Sequence, residues 1–329
     1  MVGRPSRADV YRRLDEAVAE LRERMGGLPA PAEAEGIWTT IWFEEAHNST
    51  AIEGNTLVLK QVERLLADGV AVGNHELREY LEVRGYAAAA QWVYGQAIEP
   101  GPWTDPELLN LQEVRQVHAM ALAPAWDVEP HPAATDRERP GSFREHEIRA
   151  FPEGMTPPSW TDVPAAMRDW VERVNDLRSG DRVIESIAAL HNEFERIHPF
   201  LDGNGRAGRL LLNLVLVRLG YAPAIIYKRD RLRYLRALRR ADAGDPGPLG
   251  EMIARAALDN LYRFIVPAVA GPSRLVPLAA LATRGLNEGA LRAAANRDRL
   301  RAQKGSDGQW RSTKAWVDEY IASRHKRNR

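Results

Sequence analysis

The sequence predicts a mainly α-helical protein carrying a small mixed helix and hairpin module at its C-terminus. Three observations lead there. Apolar residues recur at helical spacing through most of the chain, Pro and Gly fall in almost every gap between those stretches, and strand-like alternation is scarce. The 329 residues are 44% hydrophobic and 27% charged, and none is Cys, which excludes disulfide scaffolds, thiol nucleophiles and Cys-ligated metal sites. No window reaches the roughly 18 apolar residues of a spanning helix. The densest, Leu210 to Leu219, contains Asn213 and Arg218 and is expected as a buried core helix. The N-terminal segment lacks the apolar stretch of a signal peptide, so a cytoplasmic setting without membrane attachment is expected.

Taken in order, Ser6 and Asp9 form a capping-box start for a helix carrying Val10, Leu14, Val18 and Leu21, which ends near Gly26 and Gly27. A second helix is expected over 37–51. Further helices are expected at 59–67, 75–96, 105–121, 163–178, 182–197, 205–219 and 232–242. Between 129 and 160, six prolines forbid a long helix, and Ser142 to Phe151 is expected as a short exposed hairpin. A second proline-marked break, 267–277, is the expected boundary of the C-terminal module. The predicted organisation is an N-terminal helical segment, 1–100, a core, 101–266, and a module, 274–329.

Formal charge is zero overall but unevenly spread. Residues 274–329 hold 13 Lys+Arg against 5 Asp+Glu, leaving 32 against 40 for the rest, so a basic, polyanion-facing module sits on a mildly acidic body.

The most informative stretch is His198-Pro-Phe-Leu-Asp-Gly-Asn-Gly-Arg-Ala-Gly-Arg209. Glycines flanking Asn204 permit a tight turn with close backbone approach, and the helix starting near Gly205 presents free N–H groups to an anion. Arg206 and Arg209, three apart on the first turn, are placed to grip a polyphosphate together. Asp202 is a hard oxygen donor suited to Mg2+ shared with phosphates. His198 is a general-base candidate near neutral pH. Gly203, Gly205 and Gly208 match the dinucleotide fingerprint in letters, yet a helix precedes them where that fingerprint needs a strand. A P-loop fits less well still, because Arg209 and Leu210 replace its Lys and Ser/Thr.

The same twelve residues reproduce the H-P-F-x-D-G-N-G-R-x-x-R signature of Fic-domain proteins, and the preceding Leu190-His-Asn-Glu-Phe-Glu-Arg-Ile197 is similar to that family as well. The resemblance implies a Fic-fold helical core that transfers AMP from ATP to a Ser, Thr or Tyr hydroxyl of a target protein. It implies His198 as the base, Asp202 as the Mg2+ ligand, Gly203, Asn204 and Gly205 as the anion hole, and Arg206 and Arg209 on the outer phosphates. Pro140-Gly-Ser-Phe-Arg144 resembles the family's target-docking flap, which assigns Ser142, Phe143 and Arg144 to target binding. Ser49-Thr-Ala-Ile-Glu-Gly54 resembles the family's inhibitory S-x-x-x-E-G motif. Ser49 and Glu53 are i and i+4, on one helical face that Gly54 ends, and Glu53 is expected to pair with Arg209 and occupy the group the γ phosphate needs.

Residues 275–324 read as helix, turn, helix, hairpin, helix, and resemble a winged helix-turn-helix, with Arg292, Asn296 and Arg297 as candidate contacts to double-stranded DNA. A homodimer is a further expected partner. Three other uses fit the same residues: another nucleotide donor, removal of AMP, or a DNA-binding regulator whose core only senses nucleotide.

Overall fold

The Ser6 hydroxyl accepts from the Asp9 N–H at 3.2 Å and the Asp9 carboxylate accepts from the Ser6 N–H at 3.1 Å, which starts the first helix. In the computed structural model, residues 5–31, 34–95, 107–148, 155–177, 182–271, 274–305 and 308–326 are described. The body is built from α1 (Arg7–Met25), α2 (Glu35–Ile52), α3 (Leu59–Asp68), α4 (Leu77–Gly95), α5 (Leu111–Trp126), α6 (Val163–Asn175), α7 (Val183–Ile197), α8 (Asn204–Arg218), α9 (Arg231–Asp242) and α10 (Gly247–Asn260). One turn of π-helix, Leu261–Ile265, and the short α11 (Val266–Val269) lead out of it.

The expected buried helix is α8. Its side chains from Ala207 to Val217 are buried on every face, with α2, α4, α5 and α7 packed around it. A polar residue survives there only if its hydrogen bonds are met. Asn213, fully buried, accepts from the Ala224 N–H (2.8 Å) and donates to Glu45 Oε1 (2.8 Å), which also accepts from the Tyr86 hydroxyl (2.8 Å). Helix α7 runs into α8 through the loop 198–203, so the informative segment is the connection of a buried helical hairpin.

The C-terminal unit consists of β1 (Val276–Pro277), a 3-10 turn at Leu278–Leu281, α12 (Glu288–Ala295), β2 (Gln303–Lys304), β3 (Trp310–Ser312) and α13 (Lys314–Lys326). Its antiparallel sheet has the order β1-β3-β2, with Val276 opposite Ser312 and Gln303 opposite Arg311. Asn287 caps α12 by accepting from the Ala290 N–H. The unit is tied to the body: Arg311 pairs with Glu20 at 3.0 Å and Arg274 donates to the Arg24 carbonyl.

Several expectations are corrected. The helix expected from residue 105 begins at Leu111, because Asn110 and Glu113 form a capping box there, and it runs on through Pro124 to Trp126. Helix α10 was not expected; the Gly and Pro at its start read as punctuation, but Pro248 lies in the first turn, where a missing N–H is harmless. The first helix expected within 275–324 is a strand followed by a single 3-10 turn. The expected exposed hairpin is absent from residues 142–148, and residues 149–151 lie outside the described residues. Among the described residues no helix is long and apolar enough to cross a membrane.

Candidate active site

The loop between α7 and α8 is held from three directions. From within, the Asn204 side chain donates to the Phe200 carbonyl (2.7 Å) and accepts from its N–H (2.9 Å), closing the turn on itself. From α5, buried His118 accepts the Gly141 N–H on Nδ1 (2.8 Å), so its Nε2–H donates to the Asp202 carbonyl (2.9 Å), and its ring stacks on Phe200 at 3.6 Å. Burial pushes His118 down to about 4, so it stays neutral and keeps that tautomer. From the 140–158 segment, Arg144 donates to the carbonyls of His198 (2.9 Å), His146 (3.1 Å) and Pro158 (2.6 Å), while its own N–H binds the Pro199 carbonyl.

His198 caps α7 in the left-handed region, φ 49° and ψ 58°. Its Nδ1 lies 3.2 Å from the Glu195 carbonyl, which can only accept, so Nδ1 carries the proton and Nε2 the lone pair. Burial lowers its pKa, and the nearby Arg144 guanidinium adds to that against the Glu195 hydrogen bond. A neutral imidazole whose Nδ1 carries the proton is a competent general base through Nε2.

The anion side begins at Gly203, φ 76°, from which α8 starts. The first intrahelical bond is Ala207 N–H to the Gly203 carbonyl, so the N–H groups of Asn204, Gly205 and Arg206 precede the ladder and point out of the helix end. Over them lies Glu53: a Cβ placed on Gly205 would stand 2.5 Å from Glu53 Oε1. Buried Arg209, 160 residues after Ser49, donates to the Ser49 hydroxyl (2.7 Å) and carbonyl (3.0 Å) and to Glu53 Oε1 (2.8 Å). Burial raises the Glu53 pKa, but Arg209, and Arg206 more weakly, override it and hold the carboxylate ionised below its ordinary range. Behind Arg209, burial lifts the Glu195 carboxyl to about 7 against the pull of that guanidinium, and His191 shares a 2.7 Å hydrogen bond with the Tyr234 hydroxyl.

Asp202 accepts the Gly203 N–H at 2.6 Å and an Arg206 Nη2 that lies 3.3 Å from Oδ1. Burial raises its pKa, yet Arg206 and that N–H bring it below the usual value, so the carboxylate is ionised near neutral pH. Among the described residues no group of three or more His, Cys, Asp and Glu is gathered for a metal. A single hard carboxylate of this kind fits Mg2+ completed by phosphate oxygens and water, not a cage formed by protein alone.

The structure therefore brings His198, Asp202, Gly203, Asn204, Gly205, Arg206, Arg209, Ser49 and Glu53 to one place. The Asn204 side chain serves the turn, leaving only its N–H for an anion. The reading of Phe143 and Arg144 as an exposed docking flap is corrected: both are buried, Phe143 against Phe200 and Arg144 against the His198 loop, because three carbonyls capture the guanidinium. Of that trio Ser142 alone is partly exposed. Arg292, Asn296 and Arg297 are exposed on and after α12, far along the chain from this site, and Arg292 pairs with Glu288. His118 was not foreseen, since nothing in its helical stretch marks a residue that reaches a loop 84 positions later.

Residues 108–216 match the family model described as Fic/DOC family. Over these residues the chain is similar to a Fic domain. The matched range takes in α5 to α7, the loop 198–203 and most of α8. "Protein adenylyltransferase Fic" of Drosophila willistoni is 30% identical over 271 residues, covering 80% of this chain and 51% of that protein. The chain thus spans about half the length of the curated relatives it matches. The solved structure of Fic-1 from C. elegans aligns with a TM-score of 0.62 at 27% identity, over 78% of this chain and 70% of that one. A Fic family protein from Desulfovibrio desulfuricans, 22% identical, shares the fold over 95% of this chain and 97% of its own, with a TM-score of 0.57. The fold likeness therefore extends well beyond the residues that match the family model.

Proposed function

We propose that this Fic domain transfers AMP from ATP to a Ser, Thr or Tyr hydroxyl of a target protein, itself included, and is held at rest by Glu53. The observation that carries this reading is the Glu53 carboxylate lying on the N-terminus of α8 and bonded to Arg209 at 2.8 Å, an anion seated where an outer phosphate belongs.

In the reaction, His198 Nε2 takes the proton of the target hydroxyl as that oxygen forms its bond to the α phosphorus. The α–β phosphoanhydride bond breaks and pyrophosphate leaves. The N–H groups at the start of α8 stabilise the charge on the transferred phosphoryl oxygens, and Arg206 and Arg209 hold the departing phosphates. Asp202 is the residue that would hold Mg2+, which when bound neutralises phosphate charge. Positioned base catalysis of this type contributes about 10²- to 10⁴-fold.

The test is label incorporation from α-labelled ATP with Mg2+, comparing the native chain, Glu53→Gly, and Glu53→Gly with His198→Ala. Label in the single variant and not in the double one supports the reading. No label in any sample, with other nucleotide donors also tried, overturns it.

For the C-terminal unit we propose duplex DNA binding, on the strength of its strand–helix–hairpin–helix order and exposed Arg292, Arg297, Arg299 and Arg301. Anisotropy of a labelled duplex should fall steeply with added salt; no binding at low salt removes this reading.

A further inference from the structure

Arg78 is a residue that neither the signature nor the inhibitory motif contains, and it sits on the carboxylate to which the preceding section assigns a metal. It projects from the first turn of α4, with about a third of its side chain exposed. Its Nη2 is 3.4 Å from Asp202 Oδ2. Arg206 Nη2 is 3.3 Å from Asp202 Oδ1, and Arg206 Nη1 is 3.3 Å from Glu82 Oε1. The same Glu82 oxygen is 3.3 Å from Arg78 Nε. The four side chains make a closed ring of alternating charge, Arg78, Asp202, Arg206, Glu82, in which both oxygens of Asp202 already face a guanidinium.

We propose that Arg78 is a built-in competitor for the cation position on Asp202, so that a divalent cation loads only by displacing it. This rests on the reading of Asp202 as the metal ligand. The displaced guanidinium does not become an orphan: its Nη1 is already 3.6 Å from Glu129 Oε2, and its Nε keeps Glu82. A doubly charged cation and a guanidinium cannot share one carboxylate edge without like-charge repulsion, so the two states exclude each other. Arg206 has a different fate. Buried deeper and paired to Glu82 from the other side, it can turn to a phosphate while staying in place. Arg78 thereby sets how much free divalent cation the site needs, and it is a positioning residue acting through Asp202.

The experiment is a Mn2+ titration of the full chain with ADP present, which provides phosphate oxygens without turnover, read as loss of the free Mn2+ electron paramagnetic resonance signal. Native protein is compared with Arg78→Gln, Arg78→Lys and Asp202→Asn, each checked for an unchanged melting temperature. Arg78→Gln should bind Mn2+ about three- to fivefold tighter, the scale of one lost competing pair at a partly exposed site, and Arg78→Lys should stay within about twofold of native. Asp202→Asn should bind it much more weakly. Unchanged or weaker binding in Arg78→Gln, with Asp202→Asn weakened, overturns the competitor role alone. Native affinity in Asp202→Asn overturns the metal assignment and the competitor role with it. If Arg78→Gln is unstable, Arg78→Met decides by the same titration: binding no tighter than native, with Asp202→Asn weakened, overturns the proposal.

Discussion

Glu53 Oε1 accepts a hydrogen bond from Arg209 Nη2 at 2.8 Å, and the same oxygen lies over Gly205, where a side chain would collide with it. One carboxylate thus satisfies the guanidinium and covers the helix end in a single placement. Removing it should free both at once.

Glu53→Gly is expected to raise automodification about 100-fold, which corresponds to a closed state favoured by about 2.7 kcal/mol. Glu53→Gln should release less, since an amide oxygen still reaches Arg209. Rates from α-labelled ATP check this ordering; equal rates for all three proteins would remove the inhibitory role.

The pH profile of the Glu53→Gly variant should have its acid limb below pH 6.5. Burial and Arg144 depress the His198 pKa, so the imidazole stays a neutral base until the solution is more acidic than a free histidine needs. A profile of kcat/KM between pH 5 and 9 tests it, and a limb centred at or above 7 contradicts the geometry.

Arg144→Met should lose about 3 kcal/mol of stability, because the carbonyls of His198, His146 and Pro158 lose a charged donor in a buried place. In the Glu53→Gly background it should also slow turnover about 10- to 100-fold by loosening the base. Thermal melting and label incorporation measure the two effects separately.

Burial holds the Glu45 carboxyl at about 7 against hydrogen bonds from Tyr86 and Asn213. Its folded pKa lies above its unfolded one, so its contribution is present in full below about pH 4.5 and is lost as pH rises through 7. Glu45→Gln keeps an oxygen for both donors and cannot ionise. The variant should melt like the native chain at pH 5 and at higher temperature at pH 8, by an amount of order 2 kcal/mol. Equal melting at pH 8 would show that Glu45 is not protonated in the fold.

The centre of the candidate site was legible because it is contiguous: His198, Asp202, the turn glycines and two arginines occupy twelve successive residues at a helix junction. Glu53 was legible through its spacing from Ser49 and the Gly that follows. The supports were not. His118, Arg144 and Arg78 reach the loop from 84, 54 and 124 positions away, and no local pattern encodes such contacts. The misreading of Phe143 and Arg144 has the same origin: a polar, proline-bounded stretch looks solvent-facing until the carbonyls that capture its arginine are known. The helices followed their caps, as at Ser6 and Asn287, and failed where two starts competed, as at Asp105 and Asn110.

His198 sits in a backbone conformation that a glycine or asparagine adopts more readily, at a cost of order 1 kcal/mol or more for other residues. Robustness and chemistry are therefore set against each other at a single position. His198→Gly or His198→Asn should yield a more heat-resistant but silent protein, and selection for thermal endurance alone would drift toward that loss. On the proposed function, histidine at this position gives up backbone ease for a base beside the phosphates.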